Sequence, residues 1–316
     1  MTAFLWPKGS YHFGSLLHLT GATSTAIEAA LAQLFHDGQP VVVSSGRAGL
    51  AMTLEAIGLS RPDLVRVPPY ASHCVLEAVA RVATPLPAAA TAGPAAHVIY
   101  HQWGYVQSRP NTNAELIEDA CDTLCRPGAR LFPLGGRFEL WSLPKILGCS
   151  GGGIIWCRNA DDAQRLRHMR QMRSNGATVQ WLTRVLATAT LNEFWEGREA
   201  GCGYLPRLAA ADVIAAIEHW SDLLARRRAR LALLEPYLPA WLATTESRIP
   251  CAVPVHADAA LERKIRALGI TTGLRHFERV MPDGSAELVI TLPLPIHQDI
   301  EMETLHKMLQ ILGSPT

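Results

Sequence analysis

Short apolar runs rich in β-branched residues recur through the first half of this chain, and helical patterns separate them. "TSTAIEAALAQLFHDG" from Thr23 reads as a capped amphipathic helix that stops at Asp37-Gly38. "PVVVSS" is then a strand, "GRAGLAMTLEAIG" a helix, "VRVPPY" a second strand and "SHCVLEAVARVA" a further helix. "AHVIYHQW", "ELIEDA", "FELWSL" and "GGGIIWC" supply four more strand-like runs. A strand that is apolar on both faces must be covered on both faces. The pattern therefore predicts an α/β fold with a mostly parallel central sheet sandwiched by helices.

The character changes after Asp161. "DDAQRLRHMRQMR" and the sequence to about Glu199 read as helical, and a glycine-rich break follows at "GCGYLPR". A long helix from about Leu208 to Leu234, a strand "CAVPV", a helix "ALERKIRALG", a strand "ELVITLPL" and a last helix from about Asp299 make a small C-terminal α+β lobe. The boundary falls near Gly203, giving a large α/β domain over 1–203 and a small domain over 204–316; the first 20 or so residues are candidates to pack on the small lobe. The run "ARRRAR", Ala225 to Arg230, reads as a solvated helix face.

Composition narrows the function classes. With 316 residues, 48% hydrophobic and 18% charged, the chain has material for a large core. A formal net charge of +1 supplies no field that would draw it to nucleic acid or an anionic membrane. The N-terminus lacks a basic start followed by an unbroken apolar core, and no apolar run is long enough to span a bilayer. The seven cysteines are scattered in apolar segments and read as reduced thiols of a cytoplasmic protein. Cys121 and Cys125 have no second pair or histidine at zinc spacing, so no metal site is expected.

Four strand ends carry candidate chemistry. At "SSGRAGL" a strand stops at Ser44-Ser45, and Gly46 and Arg47 open a helix whose free N–H groups could cradle an anion. At "ELIEDACD" Asp119 ends an apolar strand, where a carboxylate is poorly solvated and wants a cationic partner; a helix cap or a structural ion pair is the alternative reading. Lys145 lies among mostly apolar residues in "FELWSLPKILGCSGGGIIWC", just before a turn. Desolvation there would lower its pKa and free the amine for Schiff-base formation, whereas a snorkelling surface lysine is the plainer reading. "VPPYASHC" presents Tyr70, Ser72 and His73 to the same rim. An anion cradle, an acid, an amine and a flat ring are the contacts that pyridoxal phosphate needs.

In this order the segments resemble the DegT/DnrJ/EryC1/StrS family of sugar aminotransferases. "SSGRAGLAMTLEAIGL" is similar to that family's strand-then-"SGTxAL" segment, "VRVPPYASHCVLEAVARVATPL" to "VIVPxYTFxATANAVLxxGATPV", "VIYHQWG" to "xPVHLYG" with His101 and Gly104 in register, and "LIEDACD" to "vIEDAAQ". The lysine segment, the helix after "PRLAAADVIAAIEHW" and the closing "ITLPLPIHQDIEMETLHKML" extend the resemblance over nearly the whole chain. It implies a PLP-dependent transferase of fold type I, with pyridoxal 5'-phosphate on Lys145 as a Schiff base and Asp119 paired with the pyridine nitrogen. The amides of Gly46 and Arg47, beside Ser45, would hold the phosphate, and Ser142 would stand in for the family's serine, whose position is Leu140. Asp122 falls where the family has the glutamine facing the ring hydroxyl. The ring-covering aromatic falls on Ser72, which leaves His73 as the stacking candidate. The asparagine lent by a neighbouring subunit falls on Leu205.

The expected activity is amino transfer from a small-molecule donor to a keto-sugar or other small ketone. A different elimination or condensation with the same cofactor, or a non-catalytic binding protein, are the alternatives. A homodimer is implied, with no nucleic-acid or membrane partner.

Overall fold

The computed structural model describes residues 3–9, 11–86, 93–173, 178, 181–182, 201–242, 247–281 and 285–313. The expected helical stretch toward Glu199 lies largely outside them.

Seven described strands form the central sheet in the order β2 (Gln39–Val43), β9 (Gly153–Cys157), β8 (Phe138–Ser142), β6 (Glu115–Asp119), β5 (Ala96–Tyr100), β3 (Leu64–Arg66) and β4 (Thr84–Leu86). All of its pairings are parallel except those of β9, which runs antiparallel to both β2 and β8. Strand pleating sorts the apolar runs between two cores. Val41, Val43, Phe138, Leu140, Ile155 and Cys157 face one cluster, together with α2 (Gly46–Ala56), α3 (His73–Ala80) and α5 (Ala160–Met172). Val42, Trp141, Ile154 and Trp156 face the other, where Phe35 meets both indoles edge-on at 5.2 and 5.6 Å.

Local chemistry fixes the helix starts. Thr23 accepts from the Ala26 amide at 3.1 Å ahead of α1 (Ser24–Leu34), and Ser45 accepts from Ala48 at 3.2 Å ahead of α2. Asn159 does the same for α5 at 2.8 Å. These are ordinary N-caps, the devices that satisfy a helix's first free amides.

Two expectations need correction. The long helix is two helices, α6 (Arg207–Glu218) and α7 (Trp220–Leu234), broken at His219 with φ −97° and ψ 16°. Trp220 is thereby turned into the core, where its indole donates to the Cys125 carbonyl at 2.8 Å. The "ARRRAR" run is not a solvated face: Arg226 and Arg228 are exposed, but Arg227 and Arg230 are buried. Helical spacing explains this, because positions 223, 227, 230, 231 and 234 share the inward stripe.

Beyond the sheet, β10 (Arg248–Pro250) pairs with β7 (Thr123–Cys125), and β11 (Ala252–Val255), β14 (Ala286–Pro295) and β13 (Arg275–Val280) form an antiparallel sheet. The β13 strand went unread in the sequence. Its outer edge is satisfied by two glutamine side chains: Gln102 bonds the Glu278 amide and the His276 carbonyl, and Gln107 bonds the Val280 amide and the Glu278 carbonyl. Amide side chains thus stand in for a neighbouring strand and hold the hairpin against the segment that follows β5. At the N-terminus, β1 (Ala3–Phe4) pairs in parallel with β12 (Ile270–Thr271). The chain after β1 crosses the lysine segment, with Pro7 Cβ 3.1 Å from where a Cβ on Gly148 would lie.

Candidate active site

The topology brings the strand ends together. β2, β3, β5, β6 and β8 run parallel, so Ser45-Gly46, Tyr70, His101, Asp119 and Ser142 all emerge at the carboxyl edge of one sheet. That edge is where open α/β sheets bind ligands. Gly46 starts α2 there, and a Cβ on it would sit 3.6 Å from Ser142 Cβ, which places Ser142 beside the helix N-terminus. Arg47 is the second residue of α2.

The backbone behind this helix start is tightly built. A Cβ on Gly153, the first residue of β9, would fall 2.5 Å from Ser45 C and 2.6 Å from the Gly46 nitrogen. Gly153→Ala is therefore expected to displace the α2 N-terminus and to destabilise the fold by about 1–3 kcal/mol. Chemical denaturation measures the loss.

Lys145 lies in α4 (Leu143–Leu147), a single helical turn after β8 rather than a plain strand end. Its Nζ contacts Cys121 Sγ at 3.3 Å and stands 4.8 Å from the centre of the Trp6 ring. Arg275 is 5.6 Å from that same ring. The expected lowering of its pKa is overturned. Burial does oppose the ammonium, but Cys121, Asp122, Cys74 and Asp119 outweigh it and raise the pKa above the ordinary lysine value. Burial and Asp119 also hold the Cys121 proton on, so at neutral pH the charge facing the ammonium comes from the two carboxylates.

Asp119 and Glu118 go opposite ways, as strand alternation requires. Glu118 is fully buried and accepts from His101 Nε2 at 2.7 Å, Leu134 N at 3.0 Å and Gly136 N at 2.6 Å, so it shapes the loop after β7. Asp119 turns toward Lys145, accepting from the Cys121 amide at 3.0 Å. Burial pushes its pKa up while the lysine pulls it down. Asp122 is buried, with the Tyr100 hydroxyl donating to Oδ2 and Thr123 Oγ1 donating to Oδ1 at 3.3 Å. Burial lifts its pKa to about 6 against the pull of Lys145 and Tyr100.

The remaining candidates fall differently. His73 is exposed at the first turn of α3, and Cys74 beside it is among the groups whose field reaches Lys145. Tyr70, 60% exposed, stacks flat on His276 of β13 with centroids 3.9 Å apart. Leu205 is buried against Gly151 and Gly152 of its own chain.

Trp6, Tyr100, Cys121 and Arg275 were not read from the sequence. Cys121 was within reach, since it follows Asp119 by two residues. Nothing local marks Trp6 or Arg275, because chain crossing alone brings them to residue 145.

The fold is shared with solved aminotransferases. S. venezuelae DesV, solved in complex with a ketimine intermediate, aligns with a TM-score of 0.64 at 18% identity, over 95% of this chain and 92% of that one. The sugar aminotransferase CalS13 from Micromonospora echinospora gives 0.68 at 16% identity, over 98% and 99%. A DegT DnrJ EryC1 StrS aminotransferase from Brucella abortus gives 0.65 at 16%, over 94% of each chain. No curated protein matches the sequence. A family profile does match, over residues 27–312, and on that match the chain belongs to the family described as "Putative PLP-dependent aminotransferase".

Proposed function

We propose that this aminotransferase moves an amino group from a small donor to a keto-sugar or similar small ketone at the sheet edge around Lys145. The observation that carries the reading is one half-buried amine facing two buried carboxylates, next to a helix N-terminus that begins with glycine. That donor set fits pyridoxal phosphate. Gly46 and Arg47 amides, with Ser45 and Ser142 alongside, would hold its phosphate, and the partial positive charge of the α2 N-terminus favours an anion there. Asp119 would face the ring nitrogen as a carboxylate, Asp122 with Tyr100 would lie toward the opposite side of the ring, and His73 would be the side chain nearest its face. When bound, the cofactor supplies an electron sink for the donor's α-carbon.

The protein's own part is to hold that group and move protons. Lys145 Nζ is the one amine at the site among the described residues, and it would take the donor's α-proton and hand a proton back during the transfer. As an ammonium at rest, it must first lose a proton, and Asp122, whose pKa burial lifts to about 6, is a carboxylate that can receive it. Two supporting features concern assembly. Phe13 (82% exposed) and Leu17 (88%) leave apolar surface on the N-terminal segment, which supports a homodimer. We place the domain boundary near Gly203 and the protein in the cytoplasm, where its cysteines would stay reduced.

The test is to add pyridoxal phosphate to the purified protein and reduce with borohydride. A visible band that borohydride abolishes, with the phosphopyridoxyl mass on the Lys145 peptide, supports the reading; no band at saturating cofactor overturns it. Because Lys145 rests as an ammonium, attachment should accelerate as pH rises from about 6.5 to about 8.5, approaching tenfold per unit as the free-amine fraction grows. Product analysis with keto-sugars and amino acids then decides the substrate class.

A further inference from the structure

A five-residue helix such as α4 cannot hold its own shape. Its last carbonyls have no partner within the turn, and they belong to the residues that set where Lys145 sits. The structure supplies those partners from distant parts of the chain. Arg227 Nη2, from α7, donates to the carbonyls of Ile146 and Lys145, the latter at 3.3 Å. Gln298 Nε2 donates to the Leu147 carbonyl at 3.0 Å, and Gln298 Oε1 accepts from Arg227 Nη2 at 3.0 Å. The segment carrying Gln298 is itself held by Arg230, whose Nη2 donates to the Ile300 carbonyl at 3.0 Å.

Two further features belong to this arrangement. Gly148, at φ +80°, ends the turn in the left-handed region, and a Cβ there would fall 2.5 Å from Gln298 Nε2. Only glycine lets the amide come that close. Arg227 is completely buried, and among the described residues no carboxylate lies within ion-pair distance of it. A buried guanidinium held by carbonyls and one amide is an expensive way to fill a core, where leucine would serve for packing alone. A cation at the C-terminal end of the lysine turn also opposes the negative end of its dipole.

We infer that Arg227 and Gln298 form a clamp that positions Lys145, by capping all three terminal carbonyls of the turn on which it rides. The inference rests on the reading of Lys145 as the cofactor-linked amine, and it assigns two positioning residues rather than catalytic ones. Loosening the turn frees the ammonium to swing from Asp119 and Asp122 toward solvent, and it costs the amine its alignment.

The test compares wild type with Gln298→Ala, Arg227→Met and Arg227→Lys. Two readouts are taken: the rate of pyridoxal phosphate attachment to Lys145, trapped by borohydride, and the pH titration of Lys145 acylation by a small succinimidyl ester in cofactor-free protein, followed by mass spectrometry. Compared at equal free-amine fraction, as each variant's own titration gives it, Gln298→Ala and Arg227→Met should slow attachment about 10-fold or more, in line with the sensitivity of reacting groups to small misplacements. In Gln298→Ala, which changes no charge, the Lys145 titration should move down toward the ordinary lysine value, and Arg227→Lys should recover part of the lost rate. A purely structural role would lower the thermal midpoint and leave both readouts at wild-type values, and that result overturns the clamp. If Arg227→Met fails to fold, Gln298→Ala decides. If wild type attaches no cofactor at Lys145, the functional reading falls, and the clamp is then judged on the cofactor-free titration alone.

Discussion

Lys145→Ala should abolish the borohydride-trappable band and slow amino transfer on the order of 10^4-fold, the upper end of what one acid–base group contributes. The substitution removes the proton carrier and leaves Asp119 and Asp122 without the cation that now faces them. The fold should survive with a lowered midpoint, because Asp122, whose pKa burial already lifts to about 6, can take up a proton once the ammonium is gone. A single-turnover assay with amino-acid donors, beside a thermal melt, separates the two effects. Residual transfer within 10-fold of wild type would show that another group moves the proton and would defeat the reading. The melt matters as much: a collapse of the midpoint would mean that the lysine holds the sheet edge together.

The second large effect is on stability. Arg248→Met should destabilise the protein by about 3–5 kcal/mol, the loss seen when one partner of a buried ion pair is removed. Arg248 Nη1 and Nη2 donate to Glu139 Oε1 and Oε2 at 3.1 and 3.0 Å, a two-pronged contact in which both residues are almost wholly buried. Glu139 also accepts from the Phe132 amide at 2.7 Å and from the Trp141 indole at 2.8 Å. Burial would raise the Glu139 pKa, but Arg248 and these donors win, so it lies below the ordinary carboxylate value. The sign follows. Stability from this group is present above the ordinary glutamate pKa and is lost as pH falls through the lower folded value. In Arg248→Met the carboxylate is left with no cation, so the variant should instead gain stability on mild acidification. Urea denaturation at about pH 7 and about pH 5 checks both statements. Glu139→Gln in the Arg248→Met background should restore part of the loss, since it removes the stranded charge.

Much of the central sheet's frame was legible because its signals are local. Val41 to Val43, Ile154 to Trp156 and Phe138 to Trp141 announce strands by being apolar on both faces, and the serine before Gly46 announces a helix. The short strands were missed. β7 and β10 are three residues each and exist as a pair between distant segments, with Leu124 opposite Ile249. β13 alternates too weakly to be read, and the side chains of Gln102 and Gln107 hold its edge. The "ARRRAR" run misled for a related reason. Charge argues for solvent only until a buried row of carbonyls offers a better partner, and the carbonyls of Lys145, Ile146 and Ile300 do so here.

At the site, the sequence by itself determined which groups stand at the strand ends: Gly46 after β2, Asp119 closing β6, and Lys145 just after β8. Period-two burial places a strand end, and the parallel order sends every such end to one edge. Only the tertiary structure decided what surrounds the lysine. Trp6, Arg227, Arg275 and Gln298 reach it through chain crossings that leave no periodic trace, and the balance between burial and the two carboxylates set the amine's charge. Desolvation can be guessed from apolar neighbours in the sequence, but the carboxylates that outweigh it act through space, and their positions follow from the packed fold.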